Sequence, residues 1–414
     1  MEQPGREMIS LDEALQRVLG TLDAPVREPE LVELDESLGR ILAEDLLAAE
    51  DFPAQDNSAM DGFAVRAEDL AGRDTLTLVG QSLAGRPFEG QLGPLQCTRV
   101  MTGGLIPAGA DTVVPVERTS GYEPATDGTV SFLDKPGLGD NVRPRGGVVK
   151  AGDRLLAAGT RIRPATIGVL GSQGKDRVSV GPRPKVAILP TGDEIVAVGE
   201  VPRPGQVRNS NAHALFAQAR AAGADATLLP LLRDEEGESR RILEEALDGF
   251  DLVCTIGGVS MGTKDLVRGA FEALGGETLV ETIRIKPGKP TLFGRREKKG
   301  RSSYLLGLPG NPASSFTLFA LLGAAWVQGF QGGSLADWLD RNRATLWYSK
   351  VRPNRRLQAL PARLRLAADG VTLLNLPQRT SADLFSLAEA DAFFLAPEDS
   401  GPRDGEIVDW VPLP

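Results

Sequence analysis

Between residues 183 and 330, short apolar runs alternate with helix-patterned stretches, and that alternation leaves few folds open. Lys185-Val-Ala-Ile-Leu189 reads as a strand, Asn211 to Ala222 as a helix, Ala226 to Leu232 as a second strand and Glu235 to Leu247 as a second helix. Leu252-Val-Cys-Thr-Ile256 predicts a third strand and Lys264 to Leu274 a third helix; Ser303 to Leu308 then feeds a long helix from about Pro312 to Val327. A chain patterned this way builds a mainly parallel, doubly wound α/β sheet with helices on its faces. Ligands of such open sheets bind at the carboxyl ends of the strands.

The turns at those ends carry the chemistry. The first strand runs into Pro190-Thr191-Gly192-Asp193-Glu194 and the second into Arg233-Asp234. The third runs into Gly257-Gly258-Val259-Ser260-Met261-Gly262 with Asp265 beyond, and the last into Leu308-Pro309-Gly310-Asn311-Pro312. Asp234 by itself is more often a helix N-cap than a ligand, but four such turns on one sheet edge are harder to assign to loop chemistry. Gly-rich turns and helix N-termini present backbone N–H groups, which suit phosphate or another oxyanion. Glu194, Asp234 and Asp265 would repel that anion unless a divalent cation lies between them, and such oxygen ligands suit Mg²⁺. Positive charge arrives at Ile285-Lys-Pro-Gly-Lys-Pro290, where prolines stiffen the loop that offers Lys286 and Lys289. The run Arg295-Arg-Glu-Lys-Lys-Gly-Arg301 is more basic and reads as an exposed hairpin tip without a role.

The rest of the 414-residue chain is too long for one core, so several domains are expected. Ser10 and Glu13 have capping-box spacing ahead of a stripe of Leu11, Leu15, Val18, Leu19 and Leu22, and a second helical stretch is expected near 36–46. Residues 51–140 turn to Gly, Pro, Val and Thr, with strands at Thr75-Leu-Thr-Leu-Val79 and Thr112-Val-Val-Pro-Val116, and read as an all-β insertion. The domain division expected is 1–50 with 141–182, 51–140, 183–330 and 331–414. At the head of the insertion, Asp61 and Gly62 read as a tight turn with positive φ at the glycine, or as a carboxylate held at the mouth of a site.

Several functions are disfavoured by composition. A formal net charge of −10 argues against non-specific nucleic-acid binding. His213 is the one histidine, so histidine triads and multi-histidine metal sites are excluded, and His213 reads as a solvated or capping side chain. Cys97 and Cys254 are far apart and read as core residues. No signal-peptide pattern opens the chain and no run of eighteen apolar residues occurs, so a cytoplasmic protein without membrane contact is expected. From the residues alone, the chain binds a phosphate-bearing small molecule with a metal.

Six motifs then carry a resemblance: Asn57-Ser-Ala-Met-Asp-Gly-Phe-Ala64, Met101-Thr-Gly103, Pro190-Thr-Gly-Asp-Glu194, Gly257-Gly-Val-Ser260, Ile285-Lys-Pro-Gly-Lys-Pro290 and Leu308-Pro-Gly-Asn-Pro312. Their order over nearly the whole chain resembles the molybdopterin molybdenumtransferases, a family similar to the C-terminal part of gephyrin. The resemblance implies an elongated homodimer of four-domain subunits: an N-terminal helical linker domain, the β-insertion, the α/β domain and a small C-terminal β-barrel-like domain. It implies insertion of molybdenum from molybdate into adenylylated molybdopterin, with release of AMP. Carried over by motif, Asp61, Thr102, Glu194, Asp234, Asp265, Lys286 and Lys289 would be catalytic, with Glu194, Asp234 and Asp265 on Mg²⁺. Thr191, Gly192, Asp193, Ser210, Asn211, Gly257, Gly258, Val259, Ser260, Pro309, Gly310, Asn311, Pro312, Ser381 and Ser386 would line the substrate. Asp61 would complete the site across the dimer. Gly146-Gly-Val148 stands where the family commonly carries Gly-Glu-Asp. Two other readings stay open: molybdopterin adenylyltransferase, and a non-catalytic gephyrin-like scaffold. Protein partners implied are a molybdopterin adenylyltransferase and molybdoenzyme apoproteins.

Overall fold

The structure, a computed structural model, describes residues 8–22, 27–233, 236–258, 266–334, 338, 341–347, 351–367 and 370–413. Two compact units divide the chain, one of Met1–Glu44, Ala158–Ile167 and Asp176–Pro414, the other of Asp45–Ala157 and Gly168–Lys175.

The second unit is built on a five-stranded mixed sheet in the order Thr112–Pro115, Gly62–Val65, Gln96–Val100, Thr75–Ser82 and Thr129–Ser131. Its core gathers Phe63, Val65, Leu76, Cys97, Val114, Val130 and Phe132, with the Phe63 and Phe132 rings edge-on at 6.0 Å. Gly62 is not a positive-φ turn residue as its pairing with Asp61 suggested. It opens a strand, and a Cβ there would meet the Val114 carbonyl oxygen at 2.0 Å, so glycine is required for close approach. Both cysteines are buried, and burial pushes the Cys97 thiol up to about 12 and Cys254 higher still, which leaves them inert.

In the first unit, strands β1 (Lys185–Pro190), β2 (Asp225–Leu228), β3 (Leu252–Ile256), β4 (Gly276–Thr282), β5 (Pro290–Lys298) and β6 (Arg301–Leu308) form one sheet in the order β2-β1-β3-β6-β5-β4. The first four are parallel, and β5 runs antiparallel to both of its neighbours, β6 and β4. Helices α1 (Ser210–Ala221), α2 (Glu236–Gly249), α3 (Leu266–Ala273) and α4 (Pro312–Phe330) cover it. Alternation along the strands sorts the faces. Val186, Ile188, Cys254 and Ile256 pack with α1, α4 and the N-terminal helix Leu11–Leu19, while Ala187, Leu189, Val253 and Leu305 pack with α2 and α3. Helix α4 is long and apolar enough to cross a membrane, but 83% of that stretch is buried inside the fold, where it is a core helix.

Beyond it, Leu357–Ala367 pairs with both Gly370–Asn375 and Ala392–Ala396, while Asn342–Trp347 and Ile407–Pro412 complete the ring. The result is a small closed barrel around Leu346, Ala362, Leu373, Phe394 and Val408.

Three expectations are corrected. Residues 36–46 are not helical: the 3-10 turn Leu34–Glu36 is followed by Gly39 at φ 79°, and Ile41 and Leu42 make strand-type bridges to Arg161 and Val180. The capping box is half made, because Ser10 Oγ accepts the Glu13 N–H at 3.1 Å while the Glu13 carboxylate accepts from Arg17 instead. The basic run at 295–301 is an exposed hairpin tip only at Lys299 and Gly300, the turn between β5 and β6. Its other members lie in the two strands, where Arg296 is 2% exposed and ion-pairs with Asp248, and Lys298 donates to Glu244 and Asp248.

Candidate functional site

The chain passes from β1 out to β2 and returns on the other side of β1 as β3, so the strand order reverses between β1 and β3. A crevice opens at such a point. Thr191 ties the two strand ends together, its hydroxyl donating to the Ile256 carbonyl at 2.9 Å. Gly192 follows at φ 124°, and a Cβ there would meet a Glu194 carboxylate oxygen at 2.5 Å, so the turn is shaped by that carboxylate. Gly257 and Gly258 have φ of 92° and 69°, a backbone that only glycine adopts readily. Together with Glu194, Arg233 and Leu232 these turns border a cavity of 160 Å³ beneath α2 and α3. Asp193 is exposed beside it.

Glu194 is the one member of the expected metal set that can be located; Asp234 and Asp265, like Val259 and Ser260, lie outside the described residues. Among the described residues no group of three His, Cys, Asp or Glu could hold a metal ion. An exposed carboxylate over a glycine turn fits a hard divalent cation that takes other ligands from substrate phosphate and water.

The sheet edge continues through β6. The Gly257 N–H donates to the Leu308 carbonyl at 2.8 Å, and Asn211 Nδ2 donates to the Gly310 carbonyl at 2.8 Å, so the expected substrate turns are joined. Ser210 is the first residue of α1, capped by Asn209 rather than His213, which is exposed on the helix. Asn311 and Pro312 open α4, with Pro312 in the first turn, where its missing N–H costs nothing.

On the far side of that turn lies a larger cavity of 580 Å³ between the sheet edge and the barrel. Lys286 and Lys289 line it with Pro309, Asn311 and Ser381, all expected from the sequence, and so do Arg352, Arg356 and Arg379, which were not. No Asp or Glu is among the described lining residues. Strand pairing brings Arg352 and Arg356 here: Ile285–Lys286 runs parallel to the start of Leu357–Ala367, setting Lys286 against Gln358. Ser381 also accepts the Ala313 N–H on its carbonyl at 2.9 Å. Ser386 does not line the cavity; it borders an adjoining open depression that shares Leu376, Pro377, Arg379 and Thr380 with it, and its hydroxyl donates to the Asp383 carbonyl at 3.4 Å.

Gly288 fixes the lysine loop. It sits at φ 110°, and a Cβ would fall 2.8 Å from Leu318. Gly288→Ala is expected to cost about 2–4 kcal/mol from backbone strain plus overpacking, read as a lowered urea midpoint.

Asp61 and Thr102, in the other unit, form a pair of their own. The Thr102 N–H and hydroxyl both donate to Asp61 Oδ1 at 2.7 Å. Those two donors, the backbone one first, hold the half-buried carboxyl below the usual carboxylate range, so it is ionised at neutral pH.

Comparison with known proteins covers nearly all of the chain. Residues 9–174 match the "MoeA N-terminal region (domain I and II)", 187–328 the "Probable molybdopterin binding domain" and 349–413 the "MoeA C-terminal region (domain IV)". The chain is 34% identical over 404 residues to the molybdopterin molybdenumtransferase of Bacillus subtilis, spanning 95% of this chain and 91% of that one. It is 37% identical over 325 residues to the protein of that name from Haemophilus influenzae, 78% of each chain. The crystal structure of the molybdopterin biosynthesis moeA protein from Pyrococcus horikoshii OT3 superposes with a TM-score of 0.81 at 27% identity, covering 99% of this chain and 100% of that one. On these full-length matches the chain belongs to the molybdopterin molybdenumtransferase family.

Proposed function

We propose that the chain is a transferase that inserts molybdenum from molybdate into adenylylated molybdopterin and releases AMP, yielding molybdenum cofactor. The observation that carries this reading is the 580 Å³ cavity with five cationic side chains and no carboxylate among its described lining residues, whose Pro309-Gly310-Asn311 turn follows Leu308, bonded to the Gly257 that borders the smaller cavity with Glu194. Molybdate is a dianion and the adenylylated substrate carries a phosphoanhydride, so both substrates need gathered positive charge in a chain of net charge −10.

Lys286, Lys289, Arg352, Arg356 and Arg379 would bind and orient these oxyanions, with Ser381 and Asn311 adding neutral partners. Thr191, Gly192, Asp193, Ser210, Asn211, Gly257, Gly258, Gly310 and Pro312 would shape the organic part of the site, with Val259 and Ser260. Glu194 would hold Mg²⁺ with Asp234 and Asp265; when bound, the cation would screen the anhydride's charge. Asp61, kept ionised by Thr102, would be the carboxylate that orients the attacking water or an oxo group. We further assign the division 1–50 with 141–182, 51–140, 183–330 and 331–414 as four domains. The protein would work in the cytoplasm as a homodimer with Asp61 supplied across the interface, receiving substrate from an adenylyltransferase and delivering product to apoenzymes.

The test is AMP release from adenylylated molybdopterin with Mg²⁺, with and without molybdate, coupled to activation of a molybdenum-free apoenzyme. Release that depends on molybdate, with cofactor appearing, is expected. An intact intermediate, or synthesis of it from ATP, would replace insertion by the scaffold or adenylylating reading.

A further inference from the structure

Phe385 is 86% exposed, although the backbone that carries it is anchored. It opens the short helix Phe385–Ala388, whose Leu387 is buried in the same core as α4, and the preceding Leu384 packs against that core. One oxygen of the Asp383 carboxylate accepts the Phe385 and Ser386 N–H groups at 3.1 and 3.3 Å, and the other accepts the Arg379 N–H at 3.1 Å. A pinned loop thus holds the ring out. A lone exposed apolar side chain needs no explanation by itself, but the place of this one is particular. It lines the open depression of 550 Å³ that shares Leu376, Pro377, Arg379 and Thr380 with the 580 Å³ anion cavity. Glu389 lines the same depression four residues on, the spacing that brings two side chains together on one side of a helix. Its carboxylate accepts from Arg363 at 2.9 Å through one oxygen and is otherwise exposed.

The two neighbouring hollows have opposite chemistry. The anion cavity is lined by five cations and no carboxylate, whereas the depression has one cation, the shared Arg379, with two carboxylates and an aromatic ring. A ligand that spans both carries an oxyanion at one end and, at the other, a flat ring whose edge donates hydrogen bonds. We propose that Phe385 is the stacking platform for the pterin ring of the substrate and that Glu389 accepts the ring's two-donor edge. The proposal rests on the function above for the substrate. A pterin presents its 2-amino group and ring N3–H side by side, matching the two oxygens of a carboxylate, while adenine offers one donor and one acceptor and so pairs less well. The pterin side chain, with its phosphate, leaves from the opposite end of the ring, so one ring reaches both Glu389 and the cations. A depression of 550 Å³ lies within the range of about 300–1,000 Å³ for small-molecule sites and admits a fused bicycle.

The experiment is an NMR titration of the full chain, read at the amides of residues 376–389, with three probes: a plain pterin, a pterin whose side chain carries a phosphate ester, and adenosine. Both pterins are expected to shift these amides and adenosine to leave them unmoved. In Phe385→Ala the dissociation constant of either pterin should rise about five- to hundredfold, the worth of one base-on-aromatic stack. Phe385→Trp keeps a platform and should bind at least as tightly as wild type. Glu389→Gln keeps the shape and removes the charge, so its constant should rise about three- to tenfold, a loss of hydrogen-bond size at an exposed site. The phosphate ester should tighten binding about tenfold or more, and that gain should vanish in the Lys286→Met, Lys289→Met double variant while plain pterin binds as before. Because the Phe385 ring is exposed, Phe385→Ala should keep the wild-type urea midpoint. Failure of both pterins to bind, wild-type affinity in Phe385→Ala, a Phe385→Trp no better than alanine, or an equal response to adenosine would each overturn the proposal. Neither molybdate nor turnover enters the titration. Pterin binding that depends on Phe385 without molybdate-dependent AMP release therefore removes the insertion reading and leaves the pterin platform.

Discussion

Asp61→Asn is expected to lower the rate of molybdate-dependent AMP release by about 10²–10³-fold, the scale for losing one preorganised electrostatic group at a reacting centre, while the protein stays folded with only a small drop in its unfolding temperature. Asparagine keeps the shape and can still accept from Thr102, so what is removed is the charge. The carboxylate is built to keep that charge: both Thr102 donors stabilise the ionised form. Its folded pKa lies below the unfolded value of about 3.9. The contribution of the pair to stability is thus present above that value and is lost only as pH falls through the folded pKa. A rate profile above pH ~5 should show no limb from Asp61, given an unfolded carboxyl value of about 3.9. Thr102→Val removes one of the two donors and should lower the rate less than Asp61→Asn does.

The same variant tests the shared site. If Asp61 serves its partner subunit, mixing Asp61→Asn with Glu194→Gln under conditions that exchange subunits creates hybrid dimers with one intact site. Half the dimers are then hybrids with one of two sites working, so roughly a quarter of wild-type activity should return by symmetry. No recovery on mixing would place Asp61 in its own subunit's site or outside any site.

The α/β region was legible because its apolar runs and helical stripes change period at every turn. The strand ends of β1, β3 and β6 followed from that pattern alone. What was missed had no local signal. Strand β5 was obscured because Arg295, Arg296 and Lys298 look like solvent residues, whereas Asp248 and Glu244 of α2 neutralise two of them in the fold. The helix expected over 36–46 gave way because Gly39 takes a left-handed conformation and the apolar Ile41 and Leu42 are used as strand bridges. Arg352, Arg356 and Arg379 belong to the barrel end of the chain, and nothing near them in sequence announces an anion site. Arg352 and Arg356 reach Lys286 through the parallel pairing of Ile285–Lys286 with Leu357–Ala367, and Arg379 through the segment whose Ser381 carbonyl is tied to the start of α4. Ser381 shares that cavity because its carbonyl is tied to the start of α4, while Ser386, five residues on, turns into a different depression.

Lys286→Met with Lys289→Met is expected to reduce kcat/KM by about 10²–10⁴-fold. Charge-assisted hydrogen bonds contribute about 1.5–3 kcal/mol each, so losing two removes about 3–6 kcal/mol, which converts at roughly 1.4 kcal/mol per tenfold. Methionine keeps the length and apolar stem of each side chain, so the urea midpoint should hold. The split between constants locates the ligand. If the lysines bind molybdate and substrate equally in the ground and transition states, KM rises and kcat stays; if they hold charge that develops as the anhydride breaks, kcat falls with kcat/KM. Arg352, Arg356 and Arg379 remain in the double variant, so residual activity should still fall with salt, but less steeply than wild type does, because two of the five charges that salt screens are gone. Lys298→Met provides the control. That lysine is equally charged and lies on β5, but its ammonium is engaged by Glu244 and Asp248, so its loss should alter stability slightly and catalysis not at all. A double variant with wild-type kcat/KM would remove the cavity from the anion site, whatever the charge around it.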